Sequence, residues 1–355
     1  VGSEMCIRDR EKAFGCRMLW DCVTCYQCQE HCPQNVKVAD VLYELRNEAC
    51  RQAMLSPQAI AAESSYTATR PTADNPMVPT TYLYFPGCKI TPFLPQYDTS
   101  TRAVLAALDI HLNHIELNCC GYPMRHQNLA ASVLAAARNL AIADREGMPL
   151  LTPCQCCYGQ LKQAAYWLGE NTALRDFVNG QLKAEGLRWH RDIPVRHLLS
   201  VMAEDIGLAA IRARVSRPLK GLQVAAHYGC HALRPGHVVQ LDNPLAPTIF
   251  ENLITAIGAT AVDWPLRLEC CGNPIWEKNP TLSLKLMARK REDAHAAGAQ
   301  VLATACTYCQ LQFDTVRDAH PTETDSLPAR LYPQLLGLAL GLPHDSLGLA
   351  GSEAV

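Results

Sequence analysis

The sequence predicts an α/β protein built from two copies of one unit, each with a parallel sheet, preceded by a smaller, mostly helical segment rich in cysteine. Two observations predict this fold class. Short apolar segments alternate with long helical stretches such as 127–147 and 282–298, an order typical of parallel α/β sheets. The motif CCGYP at 119–123 also returns as CCGNP at 270–274. We therefore expect three strands alternating with three helices in each copy.

Composition narrows the class of protein. The chain has 355 residues, of which 48% are hydrophobic and 19% are charged, so most of it can form folded cores. Its formal net charge of -2 argues against a nucleic-acid binder, which usually has a basic face. No apolar run reaches the ~18 residues that span a bilayer. The 18 cysteines, in a long chain with no recognisable signal peptide, predict metal or cluster ligands in a cytoplasmic protein.

The chain divides into six segments. The first has neither helical periodicity nor a cap, and we exclude it from the fold as an adapter-derived or disordered end. The second contains cysteines and a predicted amphipathic helix, roughly Val38 to Met54, and the third has the proline-rich composition of a linker. Two repeated units and a short tail follow. In order, the segments are 1–10, 11–54, 55–80, 81–218, 219–348 and 349–355.

Five cysteines recur in one order in each copy: a single cysteine, a vicinal pair and a CxxC motif. They are Cys88, Cys119, Cys120, Cys154 and Cys157 in the first copy, and Cys230, Cys270, Cys271, Cys306 and Cys309 in the second. Each motif follows a predicted strand, and the carboxyl ends of parallel strands meet at one crevice. The helix predicted after each CxxC motif favours thiolate through its dipole. We therefore expect the five thiols of each copy to converge.

Several interpretations of these cysteines remain open. Zinc takes four thiolates and would leave one over in each copy. Disulfides are disfavoured by the vicinal pairs and by the compartment, and simple packing would not repeat in register. An iron–sulfur site is favoured, although five ligands do not match the four of a cubane cluster. Cys156 has no counterpart in the second copy, where Tyr308 stands, and we interpret it as a packing residue.

The duplicated pattern resembles the cysteine-rich CCG domain found in the B-type subunit of heterodisulfide reductase. The matching stretches are YFPGC, CCG, TPCQCCY, HYGCHALRP and PQLLGLALGL, within Thr81 to Gly348. This resemblance implies two Rossmann-like CCG half-domains. It also implies that the five cysteines of each half hold a noncubane iron–sulfur cluster, and that a disulfide is cleaved between the two clusters.

A second motif, Cys22-x-x-Cys25-x-x-Cys28-x-x-x-Cys32-Pro33, has the spacing of a bacterial ferredoxin [4Fe–4S] site. Its surroundings, LWDCVTCYQCQEHCP, resemble the C-type subunit of heterodisulfide reductase. In two-cluster ferredoxins the fourth cysteine ligates the other cluster. The partial ferredoxin-type domain therefore has an incomplete ligand set unless Cys16 or Cys50 substitutes. We expect the chain to be a fusion of a C-type and a B-type subunit, cut inside the C-type part.

The predicted function is that of an iron–sulfur oxidoreductase subunit. Electrons would come from a flavoprotein partner of heterodisulfide reductase A type, through the ferredoxin cluster, to two CCG clusters that reduce a small disulfide or oxidise thiols. The ten repeated cysteines are then both metal ligands and catalytic residues. The alternative is an electron-transfer subunit of a flavin-dependent dehydrogenase, of glycolate, glycerol-3-phosphate or succinate type, which passes electrons towards quinone. His227 and His231 flank Cys230 as proton donors or, more simply, as structural histidines.

Overall fold

The structure is a computed structural model that describes residues 37–39, 41, 42, 45, 79–190, 193–319 and 327–349. The predicted ferredoxin ligands Cys22, Cys25, Cys28 and Cys32, most of the linker and both chain ends lie outside these residues. The described residues between Val38 and Leu45 are helical, as expected for that stretch. Val41, expected on the apolar side of this helix, is 45% exposed, whereas Ala39 is buried.

The first half contains a four-stranded parallel sheet with the order β2-β1-β3-β4. Its strands are β1 (Thr81–Tyr84), β2 (His111–Asn113), β3 (Leu150–Thr152) and β4 (Val195–His197). Its helices are α1 (Ile90–Phe93), α2 (Pro95–Ala107), α3 (Leu129–Glu146), α4 (Gln155–Glu170), α5 (Thr172–Leu182), α6 (Leu198–Ser200) and α7 (Leu208–Arg214). The strand order changes direction between β1 and β3, so a crevice forms beyond their carboxyl ends.

The second half repeats this topology with the order β6-β5-β7-β8, again all parallel. Its strands are β5 (Gln223–His227), β6 (Thr260–Val262), β7 (Val301–Thr304) and β8 (Ala329–Leu331). Its helices are α8 (Gly236–Val239), α9 (Ile249–Ala256), α10 (Pro280–Ala296), α11 (Thr307–Leu311), α12 (Arg317–Ala319) and α13 (Tyr332–Leu340). π-helical stretches at Val201–Gly207 and Gln312–Val316 continue α6 and α11.

The two halves complete each other through an exchange of helices. The helix that follows β8, α13, packs against α2 of the first half. In the symmetric arrangement, the helical segment that follows β4 packs against α9 of the second half. The buried apolar residues of both halves accordingly form one continuous core. The halves are therefore held in a fixed relation by their cores.

The structure confirms the predicted α/β class and its parallel sheets. Each half nevertheless has a fourth strand that the sequence pattern does not show. These strands, β4 and β8, are three residues long and have an arginine at the centre, so neither contains the apolar run that marks a buried strand. Both strands lie at the edge of their sheet, where the two arginines are half-buried. A central strand of a parallel sheet is buried on both faces and would not accommodate them.

Candidate metal centre

The backbone brings the cysteines of each half to the carboxyl end of its sheet. Cys88 follows β1 by four residues, and Cys154 follows β3 and occupies the N-cap of α4. Cys119 and Cys120 lie in the loop after β2, and Gly121 takes a left-handed φ of 86° that starts the turn Tyr122–Met124. The crevice between β1 and β3 is thus the place where the three motifs meet, as the sequence predicts.

The five thiols of the first half form one connected group. The Sγ atoms of Cys88 and Cys119 are 3.6 Å apart. Cys120 donates a hydrogen bond to Cys119, and Cys157 donates one to Cys120. Cys154 is hydrogen-bonded to Cys157 in turn. We call these five residues the first cysteine group.

The second half repeats this arrangement. Cys230 is hydrogen-bonded to Cys270, and Cys271 to both Cys270 and Cys309. Cys306 completes this second cysteine group through Cys309. A ring nitrogen of His227 also lies within 4.8 Å of the Sγ atoms of Cys271 and Cys309, which is close enough for all three to hold one metal ion.

Two glycines leave space where a side chain would meet the thiols. Gly87, at a φ of 86°, would place a Cβ 2.9 Å from the Sγ of Cys157. Its counterpart Gly229, at a φ of 67°, would place a Cβ 3.3 Å from the Sγ of Cys309. Both positions require the left-handed conformation that glycine adopts without strain. Glycine at these two positions therefore leaves the space beside each cysteine group free of side chains.

A buried hydrogen-bond network holds the turn that follows each vicinal cysteine pair. Ser132 on α3 donates to the carbonyl of Gly121 at 2.9 Å and accepts from Gln160 of α4 at 2.9 Å. In the second half, Ser283 donates to the carbonyl of Gly272 at 3.0 Å and accepts from Gln312 at 3.0 Å. The network ties the CCG turn to the helix that follows the CxxC motif. Sequence analysis missed it, although both residues repeat at matching distances from their cysteine motifs.

The two cysteine groups approach each other at the junction of the halves. Cys154 of the first group accepts a hydrogen bond from Cys306 of the second. Beside them, the Sγ of Cys156 lies 3.9 Å from that of Cys306 and 3.9 Å from Nδ1 of His231. The Nε2 atom of His197 lies 3.2 Å from two carbonyl oxygens. One belongs to Pro153, before the first CxxC motif, and the other to Ala305, before the second.

Mutual hydrogen bonding makes several of these thiols acidic. Hydrogen bonds from Cys120 and Cys88 lower the pKa of Cys119 to about 3. Hydrogen bonds from Cys270 and Cys309 lower the pKa of Cys271 to about 5. Burial raises the pKa of Cys154, but hydrogen bonds from Cys156, Cys157 and Cys306 bring it well below its usual range. Each group therefore contains a thiol that is readily converted to thiolate, the form that binds metals.

The two groups differ in access to solvent. Cys88 is exposed and Cys119 is half-buried, whereas all five cysteines of the second group are buried. A narrow cleft opens on the first group, and Tyr308 and Thr307 of the second half form part of its wall. Its volume of about 10 Å³ is far below the ~300–1,000 Å³ of usual organic-ligand pockets. The exposed side of Cys88 is thus where a larger molecule can approach the first group.

Buried cations near the second group were not found by sequence analysis. Lys290 is 2% exposed and Arg234 is fully buried. Burial lowers the pKa of Lys290 to about 8, while the nearby Cys271 and Cys270 counteract this shift. Residues 290–293 read KRED, a composition typical of a solvated helix face. The sequence therefore gives no indication that Lys290 is buried.

Comparison with known proteins identifies the repeated unit. Residues 82–162 and 224–314 match the cysteine-rich domain family CCG. Over 274 residues the chain is 31% identical to the B-type subunit of the ferredoxin/F(420)H(2)-dependent CoB-CoM heterodisulfide reductase of Methanosarcina acetivorans, a match that covers 75% of this chain and 91% of that protein. Over 273 residues it is 32% identical to the 8-methylmenaquinol:fumarate reductase membrane anchor subunit of Wolinella succinogenes, covering 76% and 95% respectively.

Two further matches concern a short stretch of the chain and the fold. A stretch of 39 residues is 51% identical to the C-type subunit of the H(2):CoB-CoM heterodisulfide,ferredoxin reductase of Methanothermobacter thermautotrophicus, covering 11% of this chain and 21% of that protein. A crystal structure of a hypothetical protein from Helicobacter pylori has a TM-score of 0.67 at 17% identity. It covers 93% of this chain, which spans 63% of that solved chain, and it supports the fold alone.

These matches confirm the resemblance inferred from the sequence and support an iron–sulfur electron-transfer role. Within the described part of the chain, no helix combines the length and apolar character needed to cross a bilayer. The chain therefore belongs to the family of heterodisulfide reductase B-type subunits, with the cysteine-rich CCG domain present twice.

Proposed function

We propose that this chain is the disulfide-reducing iron–sulfur subunit of a heterodisulfide reductase-type enzyme. In this proposal the first and second cysteine groups hold one noncubane iron–sulfur cluster each. The observation that carries the proposal is the presence of two complete groups of five thiols that meet where Cys154 is hydrogen-bonded to Cys306. A disulfide has two sulfur atoms to reduce, and the pairing of two sites suits that task.

The residues present fit such clusters. Each group offers five mutually hydrogen-bonded thiols in a space that Gly87 or Gly229 leaves free. The low pKa values of Cys119 and Cys271 favour the thiolate form that iron requires. Zinc, with four ligands, would leave a fifth thiol unused in each group. When bound, iron–sulfur clusters would supply electrons one at a time to a disulfide, or remove them from thiols.

The chain's own residues would admit the substrate and manage its protons. Reduction of a disulfide to two thiols consumes two electrons and two protons. In this proposal a small disulfide approaches the first group from solvent, at the exposed side of Cys88 and the cleft beside it. Lys89 and Tyr308 line this cleft, and we propose that their ammonium and phenol groups supply the protons to the leaving thiolates. Tyr122 packs against Tyr308 at 5.3 Å and restricts its ring.

The path of electron entry follows from the ferredoxin motif. We propose that Cys22, Cys25, Cys28 and Cys32 are ligands of a [4Fe–4S] site. A flavoprotein of heterodisulfide reductase A type would deliver electrons to it. The 39 residues that match a C-type subunit support this part of the proposal. A cytoplasmic location of the complex is a prediction of the same scheme.

The second candidate is an electron relay with no substrate of its own. The relative from Wolinella succinogenes favours it, because that protein is named as the membrane anchor subunit of a quinol:fumarate reductase and matches this chain as well as the relative from Methanosarcina acetivorans does. In that role a flavin-dependent dehydrogenase would perform the chemistry, and this chain would pass electrons towards quinone. Both functions use the same two cysteine groups.

The test is the iron and acid-labile sulfide content of the anaerobically reconstituted full chain, with EPR spectra recorded with and without added thiol. We expect iron and sulfide in both groups, and Cys88→Ala and Cys230→Ala should each remove one cluster. Cys156→Ser, in the same motif but outside the group of five, is the matched control and should retain both. Thiol-sensitive spectra favour disulfide chemistry, and insensitive spectra favour the relay. Zinc without sulfide would refute both.

A further inference from the structure

Three buried side chains with cationic or donor groups surround the second cysteine group. Lys290 of α10 is 2% exposed and donates to the carbonyl of Leu266. Arg234 has no exposed surface and donates through Nη2 to the carbonyls of Gly229 and Leu268. His227, at the end of β5, is equally buried and points a ring nitrogen towards Cys271 and Cys309.

Two of these side chains, Arg234 and His227, retain unused hydrogen-bonding capacity. In the part of the chain that the structure describes, Nε and Nη1 of Arg234 and both ring nitrogens of His227 have no hydrogen-bond partner. Neither Arg234 nor Lys290 forms an ion pair with a carboxylate among the described residues. A buried cation is costly unless a negative group compensates it. The thiolates of Cys271 and Cys270 are close enough to interact with Lys290 electrostatically, and they act on it more strongly than the nearby carboxylate of Glu269 does.

The internal repeat supplies a matched comparison. When the two CCG motifs are aligned, Lys290 corresponds to Asn139, a neutral residue that hydrogen-bonds to the backbone of Asn118. When Cys230 is aligned with Cys88, Arg234 corresponds to Pro92 and His227 corresponds to Phe85. None of the three counterparts carries a charge. The difference is therefore specific to the second half.

The cations of the first half do not give the first cysteine group an equivalent positive charge. Lys89 follows Cys88, but it is half-buried and its Nζ lies 4.9 Å from the ring of Phe93, which is 56% exposed. Arg125 is buried, yet it acts electrostatically on Cys230 of the second group. Positive charge thus accumulates around the second group, in a region of low dielectric where charges interact strongly.

We infer that the second cysteine group is the site of higher reduction potential, and that Lys290, Arg234 and His227 set this difference. The inference rests on the proposed function, since it requires iron–sulfur clusters in both groups. Reduction adds negative charge, which buried cations and hydrogen bonds to sulfur stabilise. Solvent exposure of the first group acts in the opposite direction, because water also stabilises the reduced state. Without the buried cations, the buried second group would be the harder one to reduce.

The test is a redox titration of the anaerobically reconstituted full chain, followed by EPR. Cys88→Ala and Cys230→Ala assign the signals, since each variant retains only one of the two groups. We expect at least a tenfold preference of the first electron for the second group, which corresponds to 59 mV for one electron. Lys290→Gln should lower the potential of the second group by a similar factor and leave that of the first unchanged. Lys290→Arg should restore it.

Lys285→Gln is the matched control, because Lys285 lies on the same helix but is exposed. It should shift neither potential. Equal potentials, a higher potential at the first group, or an unshifted Lys290→Gln variant would overturn the inference while leaving the proposed function intact. If Lys290→Gln fails to assemble its cluster, the two cysteine variants alone still decide which group has the higher potential. A wild-type chain without iron and sulfide would overturn the proposed function as well.

Discussion

Replacing Gly272 with alanine should disturb the second cysteine group through its backbone. Gly272 has a φ of 95°, a conformation that costs an alanine about 1–2 kcal/mol. The new Cβ would also lie 2.7 Å from the carbonyl oxygen of Ser283, which belongs to the backbone of α10 and cannot move independently. Forced overpacking of this kind costs about 1–3 kcal/mol. The total loss in unfolding free energy is therefore about 2–5 kcal/mol.

The matched control is Gly298→Ala. Gly298 has a similar φ of 89°, but a Cβ built on it meets no atom within 4 Å. This variant carries only the conformational cost of about 1–2 kcal/mol. The difference in unfolding free energy between the two variants therefore measures the cost of the clash with α10.

Urea unfolding of the reduced apo-protein, followed by circular dichroism, measures both variants under the same conditions. Gly272→Ala should also retain less iron, because its amide donates to the Sγ of Cys270 at 3.4 Å and a displaced turn moves that sulfur. If Gly272→Ala unfolds at the same urea concentration as Gly298→Ala, the close approach of the CCG turn to α10 does not constrain the fold.

Two further perturbations test the support of the site. Ser283→Ala removes the donor to Gly272 and the acceptor of Gln312, and should cost about 1–3 kcal/mol, whereas the exposed Thr255→Ala should cost under about 0.5 kcal/mol in the same urea assay. Equal losses would contradict a role for the network. Burial lowers the pKa of His197 from its ordinary 6.5 to about 4, so the unfolded state binds a proton that the folded state does not. His197 should consequently contribute a fall of about 3 kcal/mol in unfolding free energy between pH 6.5 and pH 4, and His197→Leu should remove this contribution while those of the buried His227 and His231 remain. Parallel pH curves for the two proteins would refute this assignment.

The cysteine positions were predictable because strand ends are predictable. Short apolar segments precede Cys88, Cys154, Cys230 and Cys306, and parallel topology alone gathers the ends of such segments at one crevice. The internal repeat strengthens this prediction, because every motif occurs twice in the same order. The convergence of each cysteine group thus required no knowledge of side-chain packing.

The surroundings of the cysteines were not predictable in the same way. Ser283 and Gln312 are 29 residues apart, and no periodicity links a helix to the residue it meets in another helix. Lys290 lies in a strongly charged stretch of α10, where local composition indicates solvent and only the tertiary fold buries the side chain. Burial of polar groups depends on contacts that are distant in sequence, and these have no local signal.

The exchange of helices gives the duplication a physical consequence. Because α13 completes the first half and the helices after β4 complete the second, the distance between the cysteine groups is fixed by one core and not by a separable interface. A packed core resists displacement, since small shifts forfeit contacts throughout it. His197 adds a polar constraint at the junction, where its Nε2 lies 3.2 Å from the backbone before each CxxC motif. Duplication therefore provides two similar sites at a fixed separation, and buried charge can then make them unequal without altering their geometry.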